Sequence, residues 1–157
     1  MTVTKESIIG NKYRALVAFG KDDAGKHVKE LNAGSFTAVD NMLQCVEQDA
    51  NAHTTPEFPD HWMYTGDAAQ PENFVMTINC KDLLLVYKDS GDPSFGTAEV
   101  LVDGEVTRTI NPLEVGWNHC NAVIVYTGEE AKEHRVEVRM TDAAKKFTIL
   151  GFGYTLK

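Results

Sequence analysis

The residues best equipped for chemistry stand together in "EVGWNHCNAVIVY", 114–126, where a tryptophan, two asparagines, a histidine and a cysteine precede an apolar run. In an extended chain Trp117, His119 and Asn121 share one face, and Asn118, Cys120 and Ala122 the other. An indole beside an imidazole near a strand end suits recognition of a sugar. The ring face packs on C–H groups while the imidazole hydrogen-bonds a hydroxyl. The competing reading places Trp117 in the rim of the core and gives His119 one structural hydrogen bond, because tryptophan is highly buried on average.

A second polar cluster, "EFPDHWMY", holds Glu57, Asp60 and His61, with His53 close by. Glu57 and His61, four apart, would share a metal if the stretch were helical. Pro56 and Pro59 disfavour helix there, so no metal site is assigned. The stretch reads instead as a solvated loop in which Trp62 and Tyr64 either anchor the chain or join Trp117, Asn118 and His119 on a ligand. "DSGDPSFG" offers Asp89 and Asp92, oxygen donors of the kind calcium takes, but a plain Asp/Gly turn accounts for the pair.

Familiar catalytic signatures are missing. No G-x-S-x-G elbow, phosphate-cradling G-x-x-x-x-G-K-[ST], G-x-G-x-x-G or H-E-x-x-H occurs in the 157 residues. No catalytic residue and no cofactor is therefore assigned. A sparser enzyme site, using His119 or His61 with Asp60 or Glu114, stays open as the runner-up, and a structural or oligomerising module is the third reading.

The elements that must hold these residues are mostly strands. "FVMTINC" alternates Phe74, Met76, Ile78 and Cys80 against polar neighbours, and "HRVEVRM" sets Val136, Val138 and Met140 inward. "DLLLVYKD", "TAEVLV", "EVTRTI", "NAVIVYT" and "KFTILGFGYTL" complete a set with no helical pattern between its members. Antiparallel pairing follows, with a sandwich or barrel as the usual result. Asp103-Gly104 marks a hairpin. A two-residue loop sets Glu99 opposite Arg108, whereas a three-residue loop sets Val100 opposite Arg108 and Ala98 opposite Ile110. The first is favoured, because the second forces an arginine onto the apolar face.

The N-terminal third differs. Val39, Met42, Leu43 and Val46 recur at helical spacing behind Thr37, which predicts one short helix over 38–49. Residues 51–73 form a long connection with three prolines.

Bulk properties narrow the partners. A net charge of −8 opposes binding to a phosphate backbone, and no apolar stretch reaches membrane-spanning length. The three cysteines are widely spaced, and with no recognisable signal peptide they predict reduced thiols and a cytoplasmic location.

The blocks "VLVDG" (100–104), "HRVEV" (134–138) and "ILGFG" (149–153) together resemble the jelly-roll domain joined to GDSL/SGNH-type hydrolases. The non-catalytic β-sandwich of the family-2 carbohydrate esterases is a similar case. The likeness covers about residues 62–157, leaving 1–61 as an N-terminal strand, the helix and the start of the long loop within one domain. It implies an all-β antiparallel jelly roll that binds carbohydrate or an acylated glycan and works beside a catalytic hydrolase domain in cis. The GDS block with its serine and the D-x-x-H block with its base are missing, so no catalytic residue carries over.

Overall fold

The computed structural model describes residues 16–42 and 58–157. It is nearly all β. In chain order the strands are β1 (Val17–Phe19), β2 (Glu30–Asn32), β3 (Trp62–Tyr64), β4 (Phe74–Asp89), β5 (Ala98–Val102), β6 (Glu105–Ile110), β7 (His119–Met140) and β8 (Phe147–Thr155). Every pairing between them is antiparallel, in the order β1-β8-β4-β7-β5-β6, with β2 added to β4 and β3 to β8.

Two long strands organise the molecule. The segments "FVMTINC" and "DLLLVYKD" are one strand of 16 residues, β4, and the two C-terminal segments before β8 are one strand of 22, β7. Their mutual register slips between Cys80 and Asp82 and again between Leu83 and Leu84, and such bulges bend a ladder. The bend is demonstrable from contacts. Phe152 of β8 lies opposite Leu85, yet its ring stacks on Phe74 at 5.7 Å. Eleven residues of straight strand separate Phe74 from Leu85, about 36 Å. The sheet must therefore fold back on itself. The first half of β4 joins β2, the second half of β7, β5 and β6 in one layer. The second half of β4 joins β8, β1, β3 and the first half of β7 in the other.

The space between the layers is filled as the alternation in the sequence requires. Phe74, Met76, Ile78, Cys80, Val136 and Val138 are almost completely buried, joined by Trp62, Tyr64, Phe147 and Phe152. Burial pushes the Cys80 thiol up to about 12, with Asp82 and Asp103 adding to the effect. At one end of the second layer Val17 pairs with Tyr154, while the Thr155 hydroxyl donates to Asp82 Oδ2 at 2.9 Å. The opposite end carries Asp89 and the start of β7.

The hairpin combines both expected registers. Val102 faces Glu105 and Leu101 faces Val106, the two-residue arrangement, with Asp103 at φ 52° and Gly104 at φ 85°. A bulge then intervenes, so Val100 faces Arg108 and Ala98 faces Ile110. Glu99 does not meet Arg108; it accepts from Arg139 of β7. Arg108 does stand on the apolar face, at the open edge of the sheet, and it has a partner: its Nε donates to Ile124 O at 2.9 Å.

The helix expected over 38–49 is not found where the chain is described. Ala38 bridges Met63 and residues 41–42 turn, leaving Val39 and Met42 largely exposed rather than forming a buried stripe. Leu43, Val46 and Cys45 lie outside the described residues. The helical element among those described is a single 3-10 turn, Ala24–Lys26.

Candidate functional site

The polar cluster of 114–126 sits where two loops meet, at the end of the second layer. One loop leaves β4 after Asp89, and the other enters β7 at His119. Ser90 N donates to Pro112 O at 2.7 Å, and the Ser90 hydroxyl donates to Asn118 Oδ1 at 3.2 Å. Gly91 is needed at this junction, since a Cβ there would stand 2.7 Å from Gly116 O. The loops are thus in backbone contact, which fixes Trp117 in place.

Trp117 is 49% exposed, and its ring stacks on His119 with centroids 4.7 Å apart and planes 27° from parallel. His119 Nδ1 lies 3.1 Å from Trp117 O, and because a carbonyl only accepts, the proton is on Nδ1. That leaves Nε2 as the second hydrogen-bonding atom of the ring. The imidazole thus covers one side of the indole, and half of the tryptophan stays exposed.

Beside it lies a cleft of about 480 Å³. Asn118, Ser90 and Asp92 line one side, and Val39, Asp40 and Met42 the other. The wall formed by 38–42 is irregular chain, yet it is held firmly. Lys88, on the face of β4 opposite Tyr87 and Asp89, donates to both Asp40 oxygens at 3.0 Å, and its ammonium lies 4.9 Å from the Phe95 ring centroid. Both side chains of this ion pair are 2% exposed. Thr148 Oγ1 donates to Asp40 Oδ2 at 2.7 Å, and Asp40 N donates to His61 Nε2 at 2.7 Å. Asn118 Nδ2 reaches Met42 O at 3.4 Å and ties the two walls together. Sequence reasoning missed the Lys88–Asp40 pair, because Asp40, three residues after Thr37, reads as part of a helix-capping box, and Lys88 as a charge at a strand end.

The remaining expected site residues fall elsewhere. Trp62 and Tyr64 are not brought to this surface. They form β3 and are 2% and 0% exposed, with Trp62 edge-on to Phe74 at 5.2 Å and the Tyr64 hydroxyl donating to Ala143 O. Apolar burial on both sides of a short strand outweighs any role as a loop anchor. His61 is occupied on both nitrogens, accepting from Asp40 N and donating from Nδ1 to Phe58 O. Glu57 and His53 lie outside the described residues. Among the described residues no group of three or more His, Cys, Asp and Glu gathers around a common point.

No family model matches the sequence, and no curated relative does. The fold does have solved counterparts. A two-domain esterase active on acetylated mannans, solved with mannopentaose, superposes with a TM-score of 0.66 at 17% identity, over 94% of this chain and 38% of that one. A family two carbohydrate esterase from Cellvibrio japonicus superposes at 0.55 with 11% identity, over 90% of this chain and 34% of that one. The chain therefore shares its fold with part of these esterases and spans little more than a third of their length.

Proposed function

We propose that this chain is a non-catalytic, carbohydrate-binding jelly roll that accompanies an SGNH/GDSL-type hydrolase, and that its ligand is a glycan, acylated or plain. One observation carries the reading: a half-exposed Trp117 stacked on His119, next in the chain to Asn118, which lines a cleft. A sugar ring presents C–H groups on its faces and hydroxyls around its rim. It would lie on the indole face that the His119 imidazole backs from the other side, and turn its hydroxyls toward Asn118. The fold shared with part of a mannan esterase supports the choice of glycan and makes mannose-based oligosaccharides the first to try.

The test is calorimetric titration with mannopentaose and with acetylated mannan, on the wild type and Trp117→Ala. Removing the ring should cost roughly 1.5–3 kcal/mol of binding, from about tenfold to more than a hundredfold in affinity. The melting temperature should barely move, since half of the side chain is already in water. No binding of either glycan by the wild type, or a mutant that unfolds while binding is unchanged, would end this reading. Release of acetate by the isolated chain would instead favour the sparse-site hydrolase.

A further inference from the structure

Asp40 is held both by its side chain and by its backbone, and the backbone bond sets a condition that the side-chain bonds do not. Asp40 N donates to His61 Nε2 at 2.7 Å, and an amide N–H cannot accept, so Nε2 carries no proton. Nδ1 lies 2.9 Å from Phe58 O, and a carbonyl only accepts, so the proton is there. His61 is 4% exposed, which shuts out water as a substitute partner. The place fits a neutral imidazole in one tautomer.

A second proton has nowhere to go. The Asp40 carboxylate is no alternative acceptor, because a carboxylate has about four lone-pair sites and here all are taken. Oδ1 accepts from Lys88 Nζ and from Met42 N, both at 3.0 Å. Oδ2 accepts from Lys88 Nζ at 3.0 Å and from Thr148 Oγ1 at 2.7 Å. A protonated Nε2 would aim one N–H at another, where an unpaired charge is strongly unfavourable. The charges around the ring pull both ways. Lys88 of β4, behind Asp40, opposes a further positive charge. Asp60, next in the chain, favours one, as do Asp22 and Asp23, which line a hollow with Asp60 and Phe58. β8 offers Thr148 and Ile149, the partners of Met63 and Trp62, and neither titrates. Beyond Asp40 the cleft adds Asp67, Asp92 and Lys146.

The hold on the cleft wall is concentrated at this one residue. Ala38 and Met63 exchange backbone bonds at 3.0 and 3.3 Å, which fixes the start of the wall. Past it, Val39 and Met42 are 62% and 59% exposed and bury little. Apart from the bonds of Asp40, the wall has long bonds of 3.4 Å to Met42 O from Lys88 and Asn118.

We propose that His61 is a proton-operated latch on the cleft: neutral, it holds Asp40 and keeps residues 39–42 seated, and on protonation it lets that wall swing out about Ala38. The closed wall binds the deprotonated ring, so the hold is complete above the ordinary histidine range and is lost as the pH falls below it. The latch works the same whatever the cleft holds, so it is tested without a sugar.

Nitrogen-15 NMR of the full chain reads both the protonation of His61 and the exchange of the Asp40 amide. At about pH 7.5, above the histidine range, Nε2 should carry no proton. On acidification the Asp40 amide should lose protection, relative to a free peptide, by about tenfold for each pH unit below about 6.5, because one proton separates the two states. The loss should follow the titration of His61 itself. His61→Gln puts a neutral amide where the ring was, so Asp40 should be equally protected at about pH 7.5 and about pH 5. The variant keeps His119, which titrates beside the cleft, and so separates the two histidines. Protection of Asp40 unchanged across the titration of His61 would overturn the proposal, as would the same acid loss in folded His61→Gln. Should that variant fail to fold, the wild type decides. A proton on Nε2 above the histidine range, or a loss of protection whose midpoint differs from that of His61, would then overturn it.

Discussion

Individual side chains show most clearly what a linear reading can and cannot reach. Trp117 and His119 could be paired from the sequence because they are two residues apart, and an extended chain sets such neighbours side by side. Lys88 could not. A lysine near a strand end reads as a solvent-facing charge, and its partner Asp40 lies 48 residues away. The pair has measurable consequences. Lys88→Met would leave Asp40 buried with only Thr148 and Met42 N as donors, so unfolding in urea should show a loss of about 3–5 kcal/mol. Replacing both partners by apolar residues should recover most of it. A Lys88→Met protein as stable as wild type would show that other contacts hold the cleft wall. Asp103 gives a second test. It accepts from His134 Nδ1 at 2.7 Å and from Arg135 N at 2.9 Å. Burial works against the charge, yet these two donors hold the carboxyl below the usual carboxylate range. Its contribution is thus present above about pH 4 and is lost as the pH falls through the depressed value. Asp103→Asn should make the decline of melting temperature between about pH 5 and pH 2 shallower than in the wild type. Parallel declines would refute the assignment.

At the scale of elements, period-2 patterning found the long strands of 74–155 and their buried faces, but neither their continuity nor the three-residue β2. Residues near the bulges break the alternation, so β4 and β7 each read as two shorter strands. Their true lengths follow from pairing, which is non-local. The prediction of a helix over 38–49 failed over its first residues for a related reason. Apolar spacing around Val39 and Met42 satisfies a helix, but Asp40 gains more from Lys88, Thr148 and His61 than from capping one. The three apolar or aromatic residues of β3 gave no periodic signal at all, because all of them are buried. The hairpin shows how a bulge reconciles two registers that seem exclusive: the turn obeys its Asp-Gly chemistry while Ala98 and Ile110 stay in the core. Arg108 is the side chain that this slip displaces, and its bond to Ile124 O spans the open edge between the layers. Arg108→Ala should cost about 1 kcal/mol in chemical denaturation. It should also speed amide exchange around Ile124, and exchange rates identical to wild type would remove this role.

For the whole molecule, the decisive feature is that both layers share their central strands. Neither layer owns a complete set of pairings, so neither should unfold alone. Scanning calorimetry should show one transition with the calorimetric and van't Hoff enthalpies equal, and two resolved transitions would contradict a shared β4 and β7. The sharing also orients the molecule. The β1–β8 pairing brings Val17 beside Tyr154 at the Asp82 end of the second layer, whereas Trp117 stands at the Asp89 end. Seven residues of strand separate the two ends, about 23 Å. A fluorophore, bead or sensor chip attached after Lys157 would therefore be joined at the foot of the sandwich, and Trp117 would look outward from it. If Trp117 holds a glycan as proposed, such a fusion would be a staining reagent with its binding face clear of its own label.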